Sequence, residues 1–191
     1  VNLSAVSTKK VIALPAENIG DFIEFPIANV KSDKKAETYF SLKQTAAAFV
    51  LDVECKGDRV ASARQKQNGK SIWADDLVEI FFAPGPQSVG LNSQLVVAAG
   101  GGRYMGNGIA ELNDYDKWKA TTKVNAAGGW SLSAEIPFKL LGYEKAPEAG
   151  ELLGFNVCRQ ENKALTSWSN VQSGFHDPDN FNFVLFGTKE A

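Results

Sequence analysis

The stretch Trp73-Ala-Asp-Asp-Leu-Val-Glu-Ile-Phe-Phe82 decides the fold. Side chains alternate faces along a strand, so Val78, Ile80 and Phe82 fall on one side and Glu79 and Phe81 on the other. The first half sets an indole and two carboxylates, Asp75 and Asp76, at the mouth of that strand. A flat apolar ring beside acceptors suits a sugar. The ring packs on the C–H face of a pyranose and the carboxylates accept hydrogen bonds from its hydroxyls. The competing reading is a core strand under a solvated acidic cap.

Strand rhythm continues on both sides of this stretch. Val11–Leu14, 22–27, Thr38–Leu42 and 47–55 precede it, and the last of these alternates Phe49, Leu51, Val53 and Cys55 against Val50, Asp52 and Glu54. Residues 94–99, 118–124, 130–136, 152–159 and 181–186 follow, with 118–124 and 130–136 forming a hairpin around Asn125-Ala-Ala-Gly-Gly129. Only 138–142, after Pro137, reads as a helical turn, stopped by Gly142. Strands broken by Gly, Pro and Asn predict an all-β chain with minimal helix: one antiparallel β-sandwich domain, jelly-roll or immunoglobulin-like, over 1–191. Lys31–Lys35 reads as a charged, solvated loop.

A length of 191 residues supports one sizeable core. The net charge of -2, with both signs interspersed, argues against nucleic acid and against an anionic membrane surface. The apolar runs are strand-length and predict no membrane span. No signal peptide is legible; the start at Val1 fits either a trimmed export signal or a module cut from a larger protein. Cys55 and Cys158 read as small buried hydrophobes, with one disulfide as the alternative where their strands are neighbours.

Catalytic patterns are weak. His176 is the only histidine, and no Gly-x-Ser-x-Gly elbow presents a serine to it. Asp75 and Asp76 are adjacent, so on extended backbone they point to opposite sides and cannot flank one glycosidic bond. No enzymatic activity is expected. Trp118 and Trp130 belong to the hairpin and read as packing residues. Trp73 and Trp168 lie at loop–strand junctions among small polar residues, and two such indoles facing each other would clamp a sugar.

A set of motifs in fixed order carries a resemblance. Trp73-x-Asp-Asp-x-Val-Glu-Ile-Phe-Phe82 is followed by Gly129-Trp-x-x-x-x-Glu-Ile-Pro-Phe138, then Gly154-Phe-Asn-Val-Cys-Arg159, then Ser167-Trp-Ser169 and Phe175-His-Asp-Pro178. Over 11–187 the chain resembles the family 9 carbohydrate-binding modules (CBM9) and their DOMON-like β-sandwich relatives. The resemblance implies a glycan ligand, a plant or microbial polysaccharide or oligosaccharide. It also implies a secreted or cell-surface bacterial protein, with fusion to a glycoside hydrolase or another secreted enzyme. It assigns Trp73 and Trp168 to an aromatic slot and Glu79 to hydrogen bonding of the sugar. Asp76, Gln94 and Arg103 are further candidates for orienting the sugar by hydrogen bonds, read from the residues rather than from the resemblance. No cofactor is required, although family members carry structural calcium. The chain departs from the family at Gln94-Leu-Val-Val-Ala-Ala99, where relatives have an aromatic-rich strand; Arg159 is a further candidate donor. The alternative is a haem b-binding DOMON-like electron-transfer domain, with Met105 and His176 as the axial pair. A structural or interaction module without a glycan ligand is the third reading.

Overall fold

A computed structural model describes residues 9–25, 37–83, 93–108 and 110–187. Its strands are β1 (Val11–Ala13), β2 (Ala16–Ile19), β3 (Ile23–Phe25), β4 (Thr38–Gln44), β5 (Ala48–Cys55), β6 (Leu77–Ala83), β7 (Ser93–Ala98), β8 (Arg103–Gly106), β9 (Lys119–Val124), β10 (Trp130–Pro137), β11 (Leu152–Glu161), β12 (Ala164–Ser167) and β13 (Asn182–Leu185). The helical segments are short 3-10 turns at Lys70–Ala74, Tyr115–Lys117, Phe138–Leu141 and Pro178–Asn180. The turn after Pro137 ends on Gly142, whose φ of 88° is the left-handed conformation glycine adopts without strain. Within the expected strand 22–27, Pro26 and Ile27 lie outside the described residues, as does the Lys31–Lys35 loop.

An eight-stranded sheet runs β1-β13-β11-β6-β7-β8, with β12 pairing β11 and β3, and a five-stranded sheet runs β2-β4-β5-β10-β9. Among the described residues every strand pairing is antiparallel except β1 with β13. The hairpin expected around residues 125–129 is β9–β10, with Trp130 opposite Val124.

The core lies between the sheets and follows the alternation. Phe49, Leu51 and Val53 of β5 and Leu132, Ala134 and Ile136 of β10 face Val78, Ile80 and Phe82 of β6 and Phe155 and Val157 of β11. The Phe49 ring stacks on Phe82 at 5.3 Å and meets Phe138 edge-on at 5.0 Å. Each such side chain, fully buried, contributes about 1.5–3 kcal/mol over leaving it in water. The other side of the eight-stranded sheet is also largely covered, by two smaller apolar clusters. One joins Phe81 and Cys158 to Val171, Phe175 and Phe181. The other joins Leu77, Val96 and Ala98 to Ile72, Trp73 and Tyr104. The candidate site lies on this outward face.

Candidate functional site on the outward face of the eight-stranded sheet

Strand register sets which side chains meet there. Glu79 of β6 is opposite Cys158 of β11 and Val96 of β7, and Val96 is opposite Tyr104 of β8. In the next row Phe81 lies between Asn156 and Gln94. The Lys70–Ala74 turn then folds over the face. Ile72 is fully buried, and Trp73 packs beside it against Leu77, Val96 and Ala98. The small residues of 94–99 thus make the seat for the turn, which accounts for a strand without the aromatics expected there. Gln160 fixes the turn by donating its side-chain amide to the Trp73 carbonyl at 3.1 Å. The Trp73 indole is partly buried, keeps some of its surface in solvent, and meets the Tyr104 ring edge-to-face at 4.6 Å.

Glu79 is the unusual group. It is 6% exposed, and its Oε2 accepts from Gln94 Nε2 at 2.7 Å. Burial raises its pKa to about 7, against the opposing pull of hydrogen bonds from Gln94 and the Trp73 side chain. No salt bridge to Glu79 occurs among the described residues. The dyad is therefore a buried acceptor–donor pair beside an indole. On the far side of Glu79, Phe81 carries the exposed His176, whose ring stands edge-on to it at 5.1 Å. Desolvation lowers the His176 pKa.

Trp73, Glu79 and Gln94 are thus brought together, and the other expected site residues are not. Trp168 is fully buried in the sandwich core, edge-on to Phe40 at 5.2 Å and tilted against Phe155 at 6.0 Å. The two-indole slot is therefore corrected: one of its walls is a core residue. The serines around Trp168 misled because they are buried as well. Ser167 and Ser169 turn away from the core into a hydrogen-bonded network with Asn156, and the Asn182 amide donates to Ser169 Oγ at 2.8 Å.

Asp76 is also corrected. Both its oxygens accept from Arg59 Nη2, at 2.7 and 2.9 Å, and it caps the Ser62 and Asn162 amides at 3.0 Å each. Asp75 accepts from the Gln65 amide at 2.7 Å. The acidic pair ties the 59–65 segment to the sandwich and offers nothing to a ligand.

Arg103 pairs with Val97 on the core-facing side of β8. Its guanidinium donates to the Trp118 carbonyl at 2.7 Å and lies 5.2 Å from the Trp118 ring, so it does not reach the Glu79 patch. Arg159 is likewise internal, 1% exposed, donating to the Lys56 carbonyl at 2.8 Å.

The haem pair is excluded by topology. Met105 lies in the sandwich core and His176 packs on the opposite side of the same sheet. Cys55 and Cys158 are both free thiols, one in the sandwich core and one in the outer cluster. Among the described residues, no group of three or more His, Cys, Asp or Glu side chains is arranged to hold a metal ion. None of their helices is long and apolar enough to cross a membrane. Tyr104 was missed in the sequence because β8 has four residues, too few to show alternation.

No known family's sequence profile matches the chain, and no curated protein is similar to it. Solved structures do match. One, from Bacteroides uniformis, is of a protein to which carbohydrate binding has been attributed; it is 17% identical with a TM-score of 0.72, covering 94% of this chain and all of that one. A family 9 carbohydrate-binding module from Caldicellulosiruptor kristjanssonii in complex with cellotriose is 16% identical with a TM-score of 0.65, covering 94% of this chain and 95% of that one. The structure of such a module from the same organism with glucose has the same identity and TM-score, covering 95% and 98%. The chain therefore has the β-sandwich fold of the family 9 carbohydrate-binding modules.

Proposed function

We propose that this chain is a non-catalytic carbohydrate-binding module that takes its sugar on the outward face of the eight-stranded sheet. Trp73 is the stacking platform, Glu79 the acceptor and Gln94 the partner that orients it. The observation that carries this reading is the partly exposed indole set beside the buried Glu79–Gln94 dyad. The fold likeness supports it, since its neighbours include modules complexed with cellotriose and glucose. The platform is one-sided: Tyr104 braces the indole, and no second tryptophan faces it among the described residues. One stacked ring contributes about 1–3 kcal/mol, by analogy with aromatic anchors at other interfaces. Desolvation of sugar hydroxyls offsets part of that, which places affinity at roughly micromolar to millimolar. Hydrolysis at this patch needs two carboxyl groups flanking one bond, and the neighbouring Asp75 and Asp76 are already engaged in loop ties. The biological setting that fits is a secreted or cell-surface bacterial protein in which the module holds an attached polysaccharide-active enzyme to its substrate.

The test is a glycan array followed by calorimetry on the best hit. Trp73→Ala should remove binding while circular dichroism shows a folded protein. Binding by that variant equal to the parent overturns the site, and an array without hits overturns the function.

A further inference from the structure

The two outward faces of the sandwich differ. The outside of the eight-stranded sheet is covered by its own apolar clusters. Among the described residues no apolar cluster covers the outside of the five-stranded sheet, which forms an open trough of about 1060 Å³. Cross-strand register builds its floor. Ser41 of β4, Asp52 of β5, Ser133 of β10 and Thr121 of β9 stand side by side in one row, and Tyr39, Glu54, Ser131 and Lys123 form the next. Adjacent strands lie ~4.8 Å apart, so each row crosses roughly 14 Å. The short side chains of the first row leave depth, while Tyr39 and Lys123 stand at the two ends of the second.

We infer that this trough is a second binding site, separate from the Trp73 patch, and that it takes an extended neutral oligosaccharide across β4, β5, β10 and β9. The chemistry on the floor selects the ligand. Asp52 and Glu54 are exposed, lie two residues apart on the same face of β5, and make no ion pair within 4.0 Å among the described residues. A uronic acid or phosphate would meet their charge. An apolar peptide would bury both carboxylates without partners. A chain of hydroxyls donates to them directly and exchanges hydrogen bonds with serine and threonine hydroxyls, which both donate and accept. Ser41 Oγ already accepts from the Asn18 amide at 3.0 Å and keeps its own proton for donation into the trough. The row crosses four strands, a span that fits several linked sugars.

The test is amide chemical-shift mapping of the intact protein titrated with neutral β-1,4-linked hexasaccharides of glucose, xylose and mannose. The expected result is saturable shifts in β4, β5 and β10 with at least one of the three. These should weaken tenfold or more in Ser133→Lys, an exposed position whose new side chain fills the floor, and in Asp52→Asn. Shifts around β6–β8 report the Trp73 patch separately, so either site can fail without the other. No shift in β4, β5 or β10 with any of the three sugars overturns the second site. So does saturable binding there that Ser133→Lys leaves unchanged.

Discussion

Replacing Glu79 with glutamine should make the protein less sensitive to alkali. In the native state burial lifts this carboxyl from 4.5 to about 7, while the unfolded chain keeps the ordinary value. Between those two values the native state holds a proton that the unfolded state has released, so stability falls as pH rises through the interval and is level above it. Linkage from these two pKa values gives a loss of about 2–3 kcal/mol between roughly pH 5 and pH 8. For a domain of this size that is about 5–10 °C in the thermal midpoint. Glutamine cannot ionise and retains an amide to pair with Gln94, so the variant should lack this component of the slope. The assay is denaturant unfolding of parent and Glu79→Gln at both pH values, read as the difference of differences so that other titrating groups cancel. If the two proteins lose stability equally over that interval, the carboxyl is not desolvated as the fold implies.

Trp168→Ala should cost about 3–5 kcal/mol in denaturant unfolding, the usual range for deleting a large core aromatic; a near-neutral change with altered glycan binding would return Trp168 to a ligand role. Asp76→Asn should destabilise by about 1–3 kcal/mol, because Arg59 loses its ion pair and two backbone amides lose a charged acceptor. At temperatures where that variant is folded its glycan affinity should match the parent, and a loss of affinity would put Asp76 back in the site. Burial pushes the Cys55 thiol up to about 12 and raises Cys158 well above its ordinary value, so neither should react with iodoacetamide until the protein is unfolded; rapid alkylation of the native protein would contradict their placement.

The parts of the fold that sequence disclosed were those where alternation runs for six or more residues. β5 and β10 each show it, and their core faces are the ones expected; β6 is apolar on both faces, and only Glu79 marks its parity. β2, β8 and β12 have four residues each and gave no period to read. The site was half legible for the same reason. Glu79 could be assigned to the outward face because β6 fixed its parity, and Gln94 follows from pairing with Phe81. Arg103 could not be assigned, since without the bounds of β8 its side of the sheet is undetermined. Trp168 was illegible for a different reason: polar neighbours in the sequence do not imply exposure in the fold. In the folded chain Ser167 and Ser169 are satisfied inside a covered face, and the indole between them turns into the core.

Three of the four tryptophans, Trp118, Trp130 and Trp168, are 3% exposed or less, and Trp73 alone keeps part of its surface in solvent. Acrylamide quenching of tryptophan emission, measured with and without a saturating glycan identified on the array, therefore isolates the proposed site. The account predicts that the glycan protects one accessible indole and that this response is absent from a folded Trp73→Ala variant. A glycan that binds by calorimetry yet leaves quenching unchanged would contradict it.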